Sequence, residues 1–193
     1  MGKNRLEMFS DGVIAIIITI MVLELRGPHE FSFEALQPLG PKLLSYVLSF
    51  VTIGIFWSHH HHLLHAVHHV NRAVLWANLH FLFWLSLIPS VTAWMGEHQF
   101  HRVPVAVYGA VVLMVGVSYR LLEQVLVKFH DKESALARTV DQNLKSWFSF
   151  AAYAAAIPLA FVAEWLTMVI YFGVAALWLL PDKRLEGIAV EAD

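Results

Sequence analysis

The chain of 193 residues contains no cysteine. That excludes disulfides and thiolate metal sites, and it leaves the redox compartment open. Charge is scarce as well: 15% of residues are charged, against about 25% in a soluble domain. The formal net charge is −2, so no bulk basic field argues for nucleic acid. Enzyme patterns are absent too. The sequence holds no nucleophile elbow, no H-E-x-x-H, no P-loop and no G-x-G-x-x-G after a strand. No catalytic residue and no cofactor is expected. The first apolar run has no A-x-A-like cleavage site after it, and Glu24 stands where small residues would be needed. It therefore reads as a retained helix rather than a signal peptide.

What the chain has instead is oil. Hydrophobic residues make up 58%, with 7 Trp, 5 Tyr and 13 Phe, many near the ends of apolar runs. Amphipathic rings prefer that headgroup level. A helix needs roughly 20 residues to cross about 30 Å of hydrocarbon. Six stretches qualify as candidates: 9–25, 43–60, 74–95, 104–127, 147–165 and 167–180. Long apolar runs without a charged face argue against a soluble bundle. The connections are short, so 1–193 is expected to be one six-span unit. Pro41, Pro104 and Pro181 fall near predicted ends, whereas Pro89 and Pro158 lie inside spans and should kink them. The expected fold class is an all-α membrane protein with six transmembrane helices per chain.

Basic residues then predict the orientation. With a cytoplasmic N-terminus, the inside segments hold Lys3, Arg5, Arg72, Lys128, Lys132, Arg138, Lys145, Lys183 and Arg184. The outside loops hold only Arg26, Lys42 and Arg102, and Arg120 remains within the fourth span. A multi-pass protein of the cell membrane is expected, with both termini cytoplasmic.

The segment "NRLEMFSDGVIAIIITIMVLEL", residues 4–25, puts polar groups at the mouth of an aliphatic helix. On an ideal helix Ile16, Ile20 and Leu23 fall within about 60° of one another, with Thr19 on their flank. Ser10 and Asp11 point away from that stripe. A carboxylate at membrane depth is costly unless paired, so Asp11 needs partners on other helices. Periodicity alone leaves the stripe open between lipid contact, core packing and a pore wall. Thr19 is expected to bond back to the Ala15 carbonyl. Glu24 stands open between a cation-concentrating mouth and a solvated helix end.

Arg5, Phe9, Ser10 and Asp11 spell R-x-x-x-F-S-D ahead of that helix. A second block, "GIFWSHHHHLLHAVHHVNRAVLWANLHFLFWLSLIPSVTAW", carries Trp57, His60, Asn78 and Pro89. Together these resemble the transmembrane protein 175 family, the endolysosomal potassium channels and their bacterial relatives. The resemblance implies a non-classical potassium channel fold without a T-V-G-Y-G filter, and this sequence has no such filter. It implies a homotetramer in a lipid bilayer, with the first span lining a central pore for K+ and other monovalent cations. Carried onto this chain, the pore constriction is Ile16, Ile20 and Leu23. Thr19 would serve selectivity, and a polar network of Arg5, Ser10, Asp11, Trp57 and His60 would hold the pore helix.

Seven of the twelve histidines crowd into residues 58–70. His61, His65 and His69 recur at helical spacing and are weak candidate metal ligands. No carboxylate stands in that stretch to complete a site. Headgroup-level histidines, a pH sensor and a metal site remain three open readings. They give the alternative function, a histidine-dependent divalent metal or proton-coupled transporter. Arg120 and Glu123 at i, i+3 are expected to pair, and His80 and Asn78 to bond between helices.

Overall fold

The computed structural model describes residues 2–25, 27–28, 31–32, 34–65, 70–129 and 144–180. These residues form helices and turns. The helices are α1 (Lys3–Leu23), α2 (Leu39–His65), α3 (Arg72–Ser86), α4 (Ile88–Glu97), α5 (Arg102–Phe129), α6 (Leu144–Leu159) and α7 (Glu164–Leu179), with a short 3-10 turn at Glu34–Leu36. Four spans are long and apolar enough to cross a membrane: α1, α2, the α3–α4 pair and α5. With the shorter α6 and α7 they make six, the number expected from hydropathy.

Several boundaries differ from the expectation, for local physical reasons. The third span is two helices rather than one kinked one. Pro89 has no N–H to donate to residue 85, and its ring crowds that carbonyl. The chain therefore stops at Leu87, whose N–H turns back to Trp84 at 3.2 Å, and α4 restarts with Pro89 in its first turn. Pro158 stands inside α6, one residue before its end at Leu159. Residues 160–163 form a turn, and Trp165 belongs to α7 rather than to the span before it. Asn71 caps α3 by accepting the Val74 N–H at 2.9 Å. Between α4 and α5 the turn is tight enough to put Gln99 (φ 49°) and Phe100 (φ 62°) in the left-handed region. The Phe100 N–H closes this turn onto the Met95 carbonyl at 3.1 Å.

α5 packs against α3, α4, α6 and α7, and α1 packs on α2, α3 and α4. Lipid tails are as apolar as leucine, so close packing and hydrogen bonds between helices, not burial alone, hold such a bundle. Gly109 shows the packing limit. A Cβ there would lie 2.7 Å from Cζ of Tyr171. Without one, Tyr171 reaches across to donate its hydroxyl to the Val105 carbonyl at 3.1 Å, and it stacks on Tyr153 at 5.0 Å between centroids.

Candidate functional site

α1 has two faces. Leu6, Ser10, Ile14, Ile17 and Met21 are buried against the rest of the chain. On the other side Ile16, Ile20 and Leu23 are 59%, 43% and 74% exposed. The sequence-derived stripe thus faces away from the rest of the chain as an exposed aliphatic strip. Thr19 is exposed beside it. Its hydroxyl donates to the Ile16 carbonyl at 2.9 Å, three residues back, not to Ala15 as expected. Glu24 is the exposed C-cap of the helix.

The buried face of α1 is tied down by a directed chain of hydrogen bonds. Ser10 donates its only hydroxyl proton to the Leu6 carbonyl at 2.9 Å. It can then only accept from Asn78 Nδ2, at 2.9 Å. That fixes the amide with Oδ1 toward His60, so His60 Nε2 donates to it at 2.7 Å. His60 is therefore the Nε2–H tautomer when neutral, and its ring stacks on Phe81 at 5.4 Å. All three polar side chains are buried. The structure joins Ser10 to His60 through Asn78, which links α1, α2 and α3. Asp11 is joined separately to Trp57, whose indole Nε1 donates to Oδ1 at 3.0 Å.

Arg5 is exposed, and no hydrogen bond or ion pair draws its side chain into this network among the described residues. Of the five residues expected to form the network, the structure brings four together in two branches. The bridging Asn78 was expected to bond between helices, but not in that role. His80, expected to do the same, instead accepts from Trp84 of its own helix at 3.0 Å. Arg120 and Glu123 pair at 3.1 Å, as the i, i+3 spacing predicts. They border a cavity of about 90 Å³ among α2, α5, α6 and α7, and no α1 residue lines it.

The histidine run continues α2 to His65. His61 and His65 lie on one face with rings 5.9 Å apart, and His69 falls outside the described residues. The carboxylate missing from the run in sequence comes from another helix. Glu7 of α1 approaches His61, with Oε1 3.6 Å from Nδ1. Ligand atoms of Glu7, His61 and His65 all lie within 4.8 Å of one another. No pattern within either segment alone carries this cluster, because it depends on the register between two helices.

A sequence profile described as "Endosomal/lysosomal potassium channel TMEM175" matches residues 5–89. A potassium channel of a Chryseobacterium species is 46% identical over 186 residues, covering 96% of this chain and 97% of that protein. The crystal structure of a lysosomal potassium-selective channel TMEM175 homolog from Chamaesiphon minutus superposes with a TM-score of 0.76 at 27% identity. It covers 92% of this chain and 96% of its own. The human endosomal/lysosomal proton channel TMEM175 is 36% identical over 86 residues, which is 38% of this chain and 17% of the human one. A near full-length relative of such identity and a shared helical fold lead to one conclusion: this chain belongs to the TMEM175 family.

Proposed function

We propose that this chain is the subunit of a potassium-permeable cation channel of the cell membrane, with both termini cytoplasmic. Its 193 residues act as one six-span unit, and four copies assemble around a central pore. The observation that carries this reading is the exposed strip of Ile16, Ile20 and Leu23 on a helix whose opposite face is fixed by buried hydrogen bonds. Four such strips facing one axis form rings of branched aliphatic side chains. Rings of this kind gate by dewetting, while selectivity comes from diameter and nearby oxygens. Thr19 supplies the oxygen, one step aside from the constriction. The bacterial relatives are named potassium channels, which supports potassium as the permeant ion.

A second reading has its own support: the animal relatives are named proton channels, and this chain carries a histidine-rich helix end. In that reading protons, or a divalent metal moved through the histidines, are the cargo. Flux into liposomes reconstituted with the protein separates the two. Potassium uptake exceeding sodium uptake, with rate or preference altered in Ile16→Asn, supports the channel. Silence toward monovalent metal cations together with proton or zinc movement overturns it.

A further inference from the structure

α1 and α2 run antiparallel in a fixed register, and every fourth residue of one meets every fourth of the other. Asp11 meets Trp57 at 3.0 Å, and Lys3 donates its ammonium to the His65 carbonyl at 2.7 Å. Between these two made bonds stands Glu7 opposite His61. There the separation is 3.6 Å, too long for a hydrogen bond. Among the described residues the His61 Nδ1 atom is covered and makes no hydrogen bond, although its side chain is 44% exposed. A covered ring nitrogen that faces a carboxylate just beyond bonding distance calls for an explanation, and an ion between the two is one.

The spacing suits such an ion. Two ligands about 2.0–2.1 Å from a tetrahedral zinc lie roughly 3.3 Å from each other. The Glu7–His61 separation is within a few tenths of an ångström of that value, and His65 stacks one turn away at 27° to the His61 ring. His65 is exposed on the last turn of α2, so its ring can close the remaining gap by rotation. Two imidazoles and a carboxylate are a donor set that zinc takes in open sites, with water in the fourth position. Lys3 of the same helix as Glu7 places its ammonium on the His65 carbonyl at 2.7 Å.

We propose that Glu7, His61 and His65 form a site for one divalent transition-metal ion per chain, zinc by its donor chemistry, clamping the start of α1 to the end of α2. The site goes beyond ion conduction and does not depend on it.

The test is titration of the purified full-length protein, without an added histidine tag, with Co2+ and then Zn2+. A visible ligand-field band that saturates at one cobalt per chain and is bleached by zinc is expected. Glu7→Gln and His61→Ala should each weaken binding at least tenfold, about 1.4 kcal/mol. His62→Ala should not, because the His62 ring is bonded to the Ser58 carbonyl at 2.6 Å. Glu7→His restores a third neutral donor and should recover binding, which separates lost ligation from lost folding. No cobalt band in the wild type overturns the proposal. So does unchanged binding in Glu7→Gln, because the histidine run would then bind metal by itself.

Discussion

The indole of Trp57 and the carboxylate of Asp11 meet at 3.0 Å across the α1–α2 contact, on the opposite flank of α1 from the exposed Ile16. Asp11 is the acidic member of the F-S-D triplet, and its neighbour Ser10 turns inward to Asn78. Consecutive residues thus anchor α1 to two different helices. A helix pinned at adjacent positions cannot rotate about its axis without breaking one of the bonds, so the exposed strip keeps its direction.

Replacing Trp57 by Phe keeps the ring and removes the N–H. The bond to the Asp11 carboxyl group is partly exposed, so the loss should be about 1 kcal/mol. Thermal unfolding of the detergent-solubilised protein measures it. Asp11→Ala, which removes the acceptor, should cost a similar amount, and the double variant no more than the larger single one.

Asn78→Leu removes the bridge, leaving the His60 Nε2–H buried without a partner and the Ser10 hydroxyl with only its bond to the Leu6 carbonyl. A loss of about 1–3 kcal/mol is expected, seen as a lower melting temperature and early aggregation. Asn78→Asp is a sharper variant. It can still accept from His60 but, ionised, cannot donate to Ser10, so only one branch survives.

Ile16 and Ile17 are neighbours with opposite fates. Ile16 is 59% exposed and Ile17 is 4% exposed. Ile16→Asn should leave the melting temperature of the solubilised protein near that of the wild type and change potassium flux. Ile17→Asn buries an amide with no partner, costs about 1–3 kcal/mol and lowers the yield of folded protein. Equal effects on folding from both would remove the two-faced account of α1.

Gly109→Ala drives a methyl into the Tyr171 ring and should cost about 1–3 kcal/mol through overpacking. Tyr171→Phe alone loses the bond to the Val105 carbonyl, about 1 kcal/mol. Because the two residues touch, the double variant should depart from the sum of the singles in thermal unfolding.

Much of this fold was readable from the residues. Hydropathy located six helices, and an ideal wheel put Ile16, Ile20 and Leu23 on one face, which the structure leaves exposed. Prolines announced the trouble spots, though not their outcome. Ahead of Pro89 the helix is interrupted for one residue, Leu87, whose N–H turns back to Trp84, and Pro158 stands one residue before the end of α6. The Thr19 bond shifted from Ala15 to Ile16, a choice between two nearly equivalent acceptors in one turn. The role of Asn78 as bridge and the approach of Glu7 to His61 were not readable. Both depend on the axial offset between helices far apart in sequence, and no single-helix periodicity encodes that offset.

α7 is bounded at both ends by non-helical residues, Ala163 and Leu180. Its 16 residues therefore reach about 24 Å, some 6 Å less than a typical hydrocarbon core. Trp165 is 72% exposed at one end and Leu179 is 63% exposed at the other, so this short helix has apolar surface along its length. A helix this short matches a full-thickness bilayer only if lipid beside it compresses, because stretching the helix would leave backbone groups unpaired. Where α7 faces lipid, the bilayer thins locally around it. Membranes built from shorter acyl chains suit this flank best, which makes lipid thickness a variable that acts on the protein from outside.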